Sequence, residues 1–231
     1  MPNFFSSKQG DVSRLIVIRH GRTKKNTEGR IGIIDDTPLD ELGVKQAKLA
    51  GERLKNFPVA ALYTSPVVRA AQTAQIISEA IGIPPEVHEA LREMDLGNIS
   101  GRTFAEVREE LPEDFKKITG WIKGQPDEAI IRPVYSGMEP IEELEARVNT
   151  FVKMILENYA RKTVCAVTHL AFIKGLMATL FGRTVHKPMN FLAFNTSLTI
   201  VDFENSVPVL MRFNDCGHLD MDDVYGKVTA L

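Results

Sequence analysis

Apolar residues along this chain follow two rhythms. Three short runs are continuous or nearly so: RLIVI at 14–18, AALYT at 60–64 and TVCAVT at 163–168. Runs of this length without polar alternation predict strands covered on both faces, as in a parallel sheet flanked by helices. Elsewhere the apolar positions recur at helical spacing. Val44, Ala47, Ala50 and Leu54 mark one helix, with Asp40 in place to cap its N-terminus. Ala70, Ala74, Ile77 and Ile81 mark a second, stopped by Gly82 ahead of Pro84 and Pro85. Leu144, Val148, Phe151, Ile155 and Tyr159 mark a third; Ile173, Leu176 and Leu180 mark a fourth that ends at Gly182.

Strands alternating with helices predict an α/β fold, a three-layer αβα sandwich around a mostly parallel sheet. SLTIVDF and VPVLMRF, on either side of ENS, predict a C-terminal antiparallel hairpin added to that sheet. The stretch 92–140 has weak periodicity and several Pro and Gly residues, and reads as a small cap or insert over one end of the sheet. With no repeat, linker or shift in composition, residues 1–231 read as a single domain.

Composition narrows the classes of function. The chain is 44% hydrophobic and 25% charged, ordinary for a globular protein, and its net charge is -2. That balance excludes a nucleic-acid partner held by bulk charge, so any anion site must come from a local cluster of cations. Two cysteines, Cys165 and Cys216, share no metal-ligand spacing and point to a reduced, cytoplasmic setting. The N-terminus shows no signal-peptide pattern, and no apolar run approaches the roughly 18 residues of a membrane span. Oligomeric state is open, a homodimer included.

The chemistry sits just after the strands. The first runs into Arg19, His20 and Gly21; the second into Ser65 and Pro66, with Arg69 opening the next helix; the third into His169. Ligands of open α/β sheets bind beyond the carboxyl ends of the strands, near helix N-termini. Two arginines and two histidines delivered to one edge suit an anion, and phosphoryl transfer in particular. A neutral imidazole is a competent nucleophile when its other nitrogen is fixed by a hydrogen-bond acceptor. Gly21 would let a phosphate or a neighbouring backbone come close. A leaving alcohol also needs an acid, and Glu89, Glu93 and Asp95 all lie near; spacing does not choose among them.

IRHGRTKKN, YTSPVVRAAQTA, LREMDLGNISG and AVTHLAFIKGL, in that order, resemble the four blocks of the histidine phosphatase superfamily. The resemblance runs from Arg14 to about Gly182 and implies a metal-independent, cofactor-free phosphomonoesterase acting on a small phosphorylated metabolite. It implies His20 as the nucleophile that becomes phosphohistidine, and Arg19 and Arg69 as phosphate-binding arginines. His169 becomes the second histidine, donating to the phosphoryl oxygens, and Glu93 the general acid and base. Asn26 becomes a polar phosphate contact, and Ser65 a support for the nucleophile's loop. Leu170 stands where the family usually has Gly, its backbone N–H still able to face phosphate.

Departures fall on the rim. Arg22 replaces a usual Glu or Gln, Gly32-Ile33 a Gln-Gly, Ile99-Ser100-Gly101 a Trp-Glu-Gly, and Met138-Glu139-Pro140 a Gly-Glu-Ser. Arg22 is a candidate contact for a second negative group on the substrate. The mutases' long LNERHYG block is missing, which favours a phosphatase over a cofactor-dependent phosphoglycerate mutase. A non-catalytic phosphate-binding or interaction module is the rival from another class, and a leaving-group acid at Glu93 speaks against it. DMDDV at 220–224 fits an aspartate-phosphatase string, but no apolar strand precedes it, so it reads as chance.

Overall fold

The computed structural model describes residues 12–32, 35–116, 137–181 and 191–225. The three apolar runs are strands: β1 (Ser13–Arg19), β2 (Val59–Thr64) and β4 (Thr163–Thr168). A short β3 (Pro85–Val87) and the hairpin β5 (Leu198–Glu204) and β6 (Val207–Asp215) complete one sheet in the order β3-β2-β4-β1-β5-β6. Pairings among β1, β2, β3 and β4 are parallel; β5 lies antiparallel to β1, and β6 to β5. The helices are α1 (Lys24–Thr27), α2 (Glu41–Leu54), α3 (Val68–Ile81), α4 (Phe104–Glu110), α5 (Ile141–Asn158), α6 (Leu170–Phe181) and α7 (Met221–Tyr225).

Strand alternation divides the core into two layers. Ile16 and Ile18 face α2 and α3, packing with Ala50, Leu54, Ala70, Ala74 and Ile77. Leu15 and Val17 face the other way, onto Val148, Phe151 and Ile155 of α5 and Phe172 and Leu176 of α6. All four β1 residues are fully buried, which is why the run lacks a polar phase. The predicted cap at Asp40 and stop at Gly82 also form; Gly182, the other predicted stop, lies outside the described residues. Asp40 accepts from the Gly43 N–H at 2.8 Å, and Gly82 ends α3 with a left-handed φ of 74°.

Three details differ from the sequence pattern. β3 lay hidden behind the prolines read only as a helix stop; it is a three-residue edge strand whose first residue is Pro85, a position that needs no ladder donor. The hairpin turn is Asn205-Ser206 alone, at φ 49° and 67°, because Glu204 still pairs with Val207. Tyr159 lies past the end of α5, where its hydroxyl meets that of Tyr63 at 2.9 Å. Of the expected cap, the single-turn 3-10 helix Gly97–Ile99 and α4 pack through Ile99 and Val107 against Ile31, Phe104 and Met138, while 117–136 lie outside the described residues. The DMDDV stretch belongs to α7, where Asp223 pairs with Lys45 on α2 at 2.7 Å.

The loop after β1 packs on the first turn of α2 through two facing glycines. A Cβ on Gly21 would sit 2.6 Å from the Gly43 carbonyl oxygen, and one on Gly43 only 2.0 Å from that of Arg22. Of the two roles open to Gly21, the structure shows backbone approach. Gly43→Ala is therefore expected to cost about 1–3 kcal/mol in urea unfolding, the range for overpacking, by displacing the His20 loop. An unchanged midpoint would show that the two loops separate freely.

Candidate active site

Arg19 pairs with Thr168 in the parallel register of β1 and β4, so the next residues, His20 and His169, emerge side by side. The His20 N–H donates to the Thr168 carbonyl at 2.9 Å, and the ring centroids stand 5.1 Å apart. Arg69 enters from the first turn of α3 and is 1% exposed. Its Nε donates to His20 Nε2 at 3.1 Å and its Nη2 to His169 Nδ1, also at 3.1 Å.

A guanidinium only donates, so both receiving nitrogens carry lone pairs. In the neutral rings the protons then sit on the other nitrogens. His20 Nδ1–H donates to the Gly21 carbonyl at 2.8 Å, and His169 Nε2–H to Ser65 Oγ at 2.8 Å. Burial holds both histidines well below their ordinary pKa; Arg69 and Arg19 push His20 further down, and His20 with the two arginines does the same to His169. Nε2 of His20 is thus a fixed, unprotonated nitrogen facing a cation.

Arg19 donates through Nη1 to the Ala193 carbonyl at 2.7 Å, while its buried Nε has no partner among the described residues. Burial lowers its pKa to about 10, which leaves it charged at neutral pH. An unmet buried donor next to a second arginine is a ready slot for an anionic oxygen.

The three carboxylate candidates separate cleanly. Glu93 Oε1 accepts from the Met94 N–H at 3.0 Å and from the Ala171 N–H, in the first turn of α6, at 3.2 Å. Burial raises its pKa; those N–H groups and the charges of Arg69 and Arg19 oppose the rise. Asp95 instead closes a local turn, accepting from the Gly97 N–H and Ser100 Oγ, and Glu89 is exposed. Only Glu93 faces the arginines.

The remaining candidates form a rim. Asn26 spends its Oδ1 on the Thr23 N–H at 3.1 Å and on Asn195 Nδ2 at 3.4 Å. Arg22 places Nε on Asp40, the α2 cap, at 2.8 Å. Leu170 opens α6 with its side chain against the core, one residue ahead of the N–H that meets Glu93. Ser65 does not take the expected place of a support for the His20 loop. α3 starts after Val67, and Ser65 Oγ serves the Val67 N–H and His169.

Two side chains that sequence reasoning missed hold that loop. Thr73 Oγ1 accepts from the Gly21 N–H at 2.9 Å and donates to the Arg69 carbonyl at 2.7 Å, so it ties the loop to Arg69. Asn195 Nδ2 donates to the His20 carbonyl at 2.9 Å. Lys174, half-buried one turn into α6, was also missed; burial and Arg19 lower its pKa, and Glu93 opposes them. Thr73 lies one helical turn after Arg69, a spacing that is a usable signal. Asn195 precedes β5 with no local mark.

Because folding lowers both histidine pKa values, the unfolded chain binds more protons than the native one below the ordinary value of 6.5. Stability is therefore fully present above that value and falls as pH drops below it. Ring nitrogen NMR should show both imidazoles neutral near about pH 6, with the urea midpoint falling from there towards lower pH. Protonated rings at that pH would contradict the geometry.

A family model described as histidine phosphatase superfamily (branch 1) matches residues 15–216. Phosphoserine phosphatase 1 of Hydrogenobacter thermophilus is 29% identical over 206 residues, covering 89% of this chain and 94% of the relative. A probable phosphoglycerate mutase, GpmB, of Yersinia pestis is 29% identical over 213 residues, covering 90% and 95%. Among solved structures, YhfR of Bacillus stearothermophilus superposes with a TM-score of 0.79 at 29% identity, covering 90% of this chain and all of that one.

Proposed function

This chain belongs to the histidine phosphatase superfamily, and from that premise we propose that it hydrolyses small phosphomonoesters through a phosphohistidine on Nε2 of His20. The observation that carries this reading is the lone pair on that nitrogen, held by the Nδ1–H bond to Gly21 and aimed at the Arg69 fork. A phosphoryl dianion between Arg69 and Arg19 would meet two positive charges, matching its own. Arg69 would then turn its donors from the imidazoles to phosphoryl oxygens, freeing Nε2 to attack.

In the first step the N–P bond forms as the P–O bond to the alcohol breaks, and the Glu93 carboxylic acid delivers its proton to the leaving oxygen. In the second, the Glu93 carboxylate takes a proton from water, whose oxygen attacks phosphorus; the N–P bond breaks and inorganic phosphate leaves. The raised pKa of Glu93 favours the protonated form that the first step consumes. His169 needs a proton on Nδ1 to donate to the phosphoryl group. The arriving dianion supplies the reason to gain one, because it offsets the cations that depress this ring.

The substrate reading follows the chemistry of the relatives. Phosphoserine, named for the Hydrogenobacter protein, and phosphoglycerates head the panel. Both cysteines are free thiols, which supports a reducing, cytoplasmic setting. No helix among the described residues is long and apolar enough to cross a membrane.

Purified protein is expected to release phosphate from p-nitrophenyl phosphate in excess EDTA, and rapid acid-free quenching should trap phosphohistidine. His20→Ala should abolish both, and His169→Ala or Arg69→Ala should lower kcat by roughly 10²–10³, the scale for losing one preorganised transition-state donor. A strict need for a divalent metal, or normal turnover by His20→Ala, would overturn the reading. Incubation of 3-phosphoglycerate with a trace of its bisphosphate separates the activities: phosphate release marks a phosphatase, isomerisation a mutase.

A further inference from the structure

The chain carrying Glu93 has no regular structure of its own: between the 3-10 turns Glu89–Leu91 and Gly97–Ile99 it pairs, among the described residues, only through the isolated bridge of Leu96 with Met138. Nothing like a strand ladder fixes where the carboxyl group stands. The Met94 and Ala171 N–H groups hold the carboxylate itself, and contacts from elsewhere in the fold hold the backbone that carries it. Arg147 of α5 donates through Nη1 to the Ala90 carbonyl at 2.6 Å and to the Arg92 carbonyl at 2.7 Å. Thr168 Oγ1 takes the Leu91 carbonyl at 2.6 Å, and the Glu139 N–H takes that of Asp95 at 2.9 Å. The backbone is thus pinned at three consecutive carbonyls before Glu93 and one after it.

Arg147 is itself held. Its Nε and Nη2 donate to the two carboxylate oxygens of Glu139 at 2.8 and 3.1 Å, and its guanidinium lies 5.7 Å from the Phe172 ring centroid. Arg147 is 8% exposed and Glu139 6%. Arg92 donates to Glu139 as well, at 3.0 Å, closing the frame onto the residue next to Glu93. A buried ion pair is a poor way to gain stability alone, since apolar residues of similar volume commonly do as well. A planar fork that spans a carboxylate and two carbonyls does what apolar residues cannot, because it sets the distances between two backbone carbonyls and a fixed side-chain anchor.

We propose that Arg147, locked by Glu139, is the positioning residue for Glu93, holding the carboxyl group where it can protonate the leaving oxygen. The assignment rests on the phosphatase reading above. It makes the pair specific to one half of the chemistry: binding and phosphoryl stabilisation belong to Arg19, Arg69 and His169, whereas proton delivery depends on the clamp.

The test exploits that division. p-Nitrophenolate departs without a proton and an alkoxide does not, so only alkyl phosphates need a well-placed acid. kcat/KM reports the steps up to phosphohistidine formation, which contain that proton transfer. Arg147→Lys keeps the charge near His169 but cannot span the three acceptors. Its kcat/KM should fall about tenfold or more for phosphoserine or glycerol phosphate, and stay within about twofold of wild type for p-nitrophenyl phosphate. Glu139→Gln, which unlocks the fork without removing it, should show the same split and carries the test where Arg147→Lys does not fold. Equal losses on both substrate classes, or no loss on either, overturn the positioning role while leaving the phosphatase reading intact. A wild-type protein without phosphatase activity overturns both.

Discussion

A buried guanidinium wedged between two imidazoles sets the terms for everything else in this site. Arg69 has given up water and recovers hydrogen bonds from His20 Nε2 and His169 Nδ1, each 3.1 Å away. That is tenable only if both rings stay neutral with their lone pairs turned inwards, and the rest of the pocket enforces it. The Gly21 carbonyl holds one Nδ1–H, Ser65 Oγ holds the other ring's Nε2–H, and Thr73 ties the Arg69 backbone to the His20 loop. Even Asp35, at the rim and paired with Lys25, leans its charge towards Arg69.

One physical cause produces two opposite titrations that hydrolysis needs. Enclosure disfavours charge, so it lowers the pKa of an imidazole and raises that of a carboxyl group. The lowered His20 and the raised Glu93 suit the nucleophile and acid roles proposed above, although the nearby arginines pull on Glu93 in the other direction. A phosphoryl dianion is the species this balance lacks, since it compensates the arginines and relieves the pressure on His169. Electrostatics of this kind need fixed geometry. β1 and β4 supply it for the histidines through their ladder, while the Glu93 segment, having no ladder, borrows it from Arg147, Thr168 and Glu139.

The sequence by itself determined the scaffold and half of the constellation. Fully covered strands show as unbroken apolar runs, and caps and stops such as Asp40 and Gly82 act within a few residues, so both can be read locally. Arg19, His20, Arg69 and His169 were visible because strand ends place them, and the four ordered blocks added Glu93. Tertiary structure alone decided the rest. What sets Glu93 apart physically from Glu89 and Asp95 is its burial beside the arginines, with the Ala171 N–H of α6 brought to it. Ser65 turned out to serve the second histidine, and Gly21 faced Gly43 of α2. Asn195, far along the chain, took hold of the His20 carbonyl, and Arg147 lay 55 and 57 residues beyond the carbonyls it clamps. The reason is range: periodicity and capping are written between near neighbours, whereas a hydrogen bond between distant segments leaves no trace in the chain until packing has brought its two ends within about 3 Å.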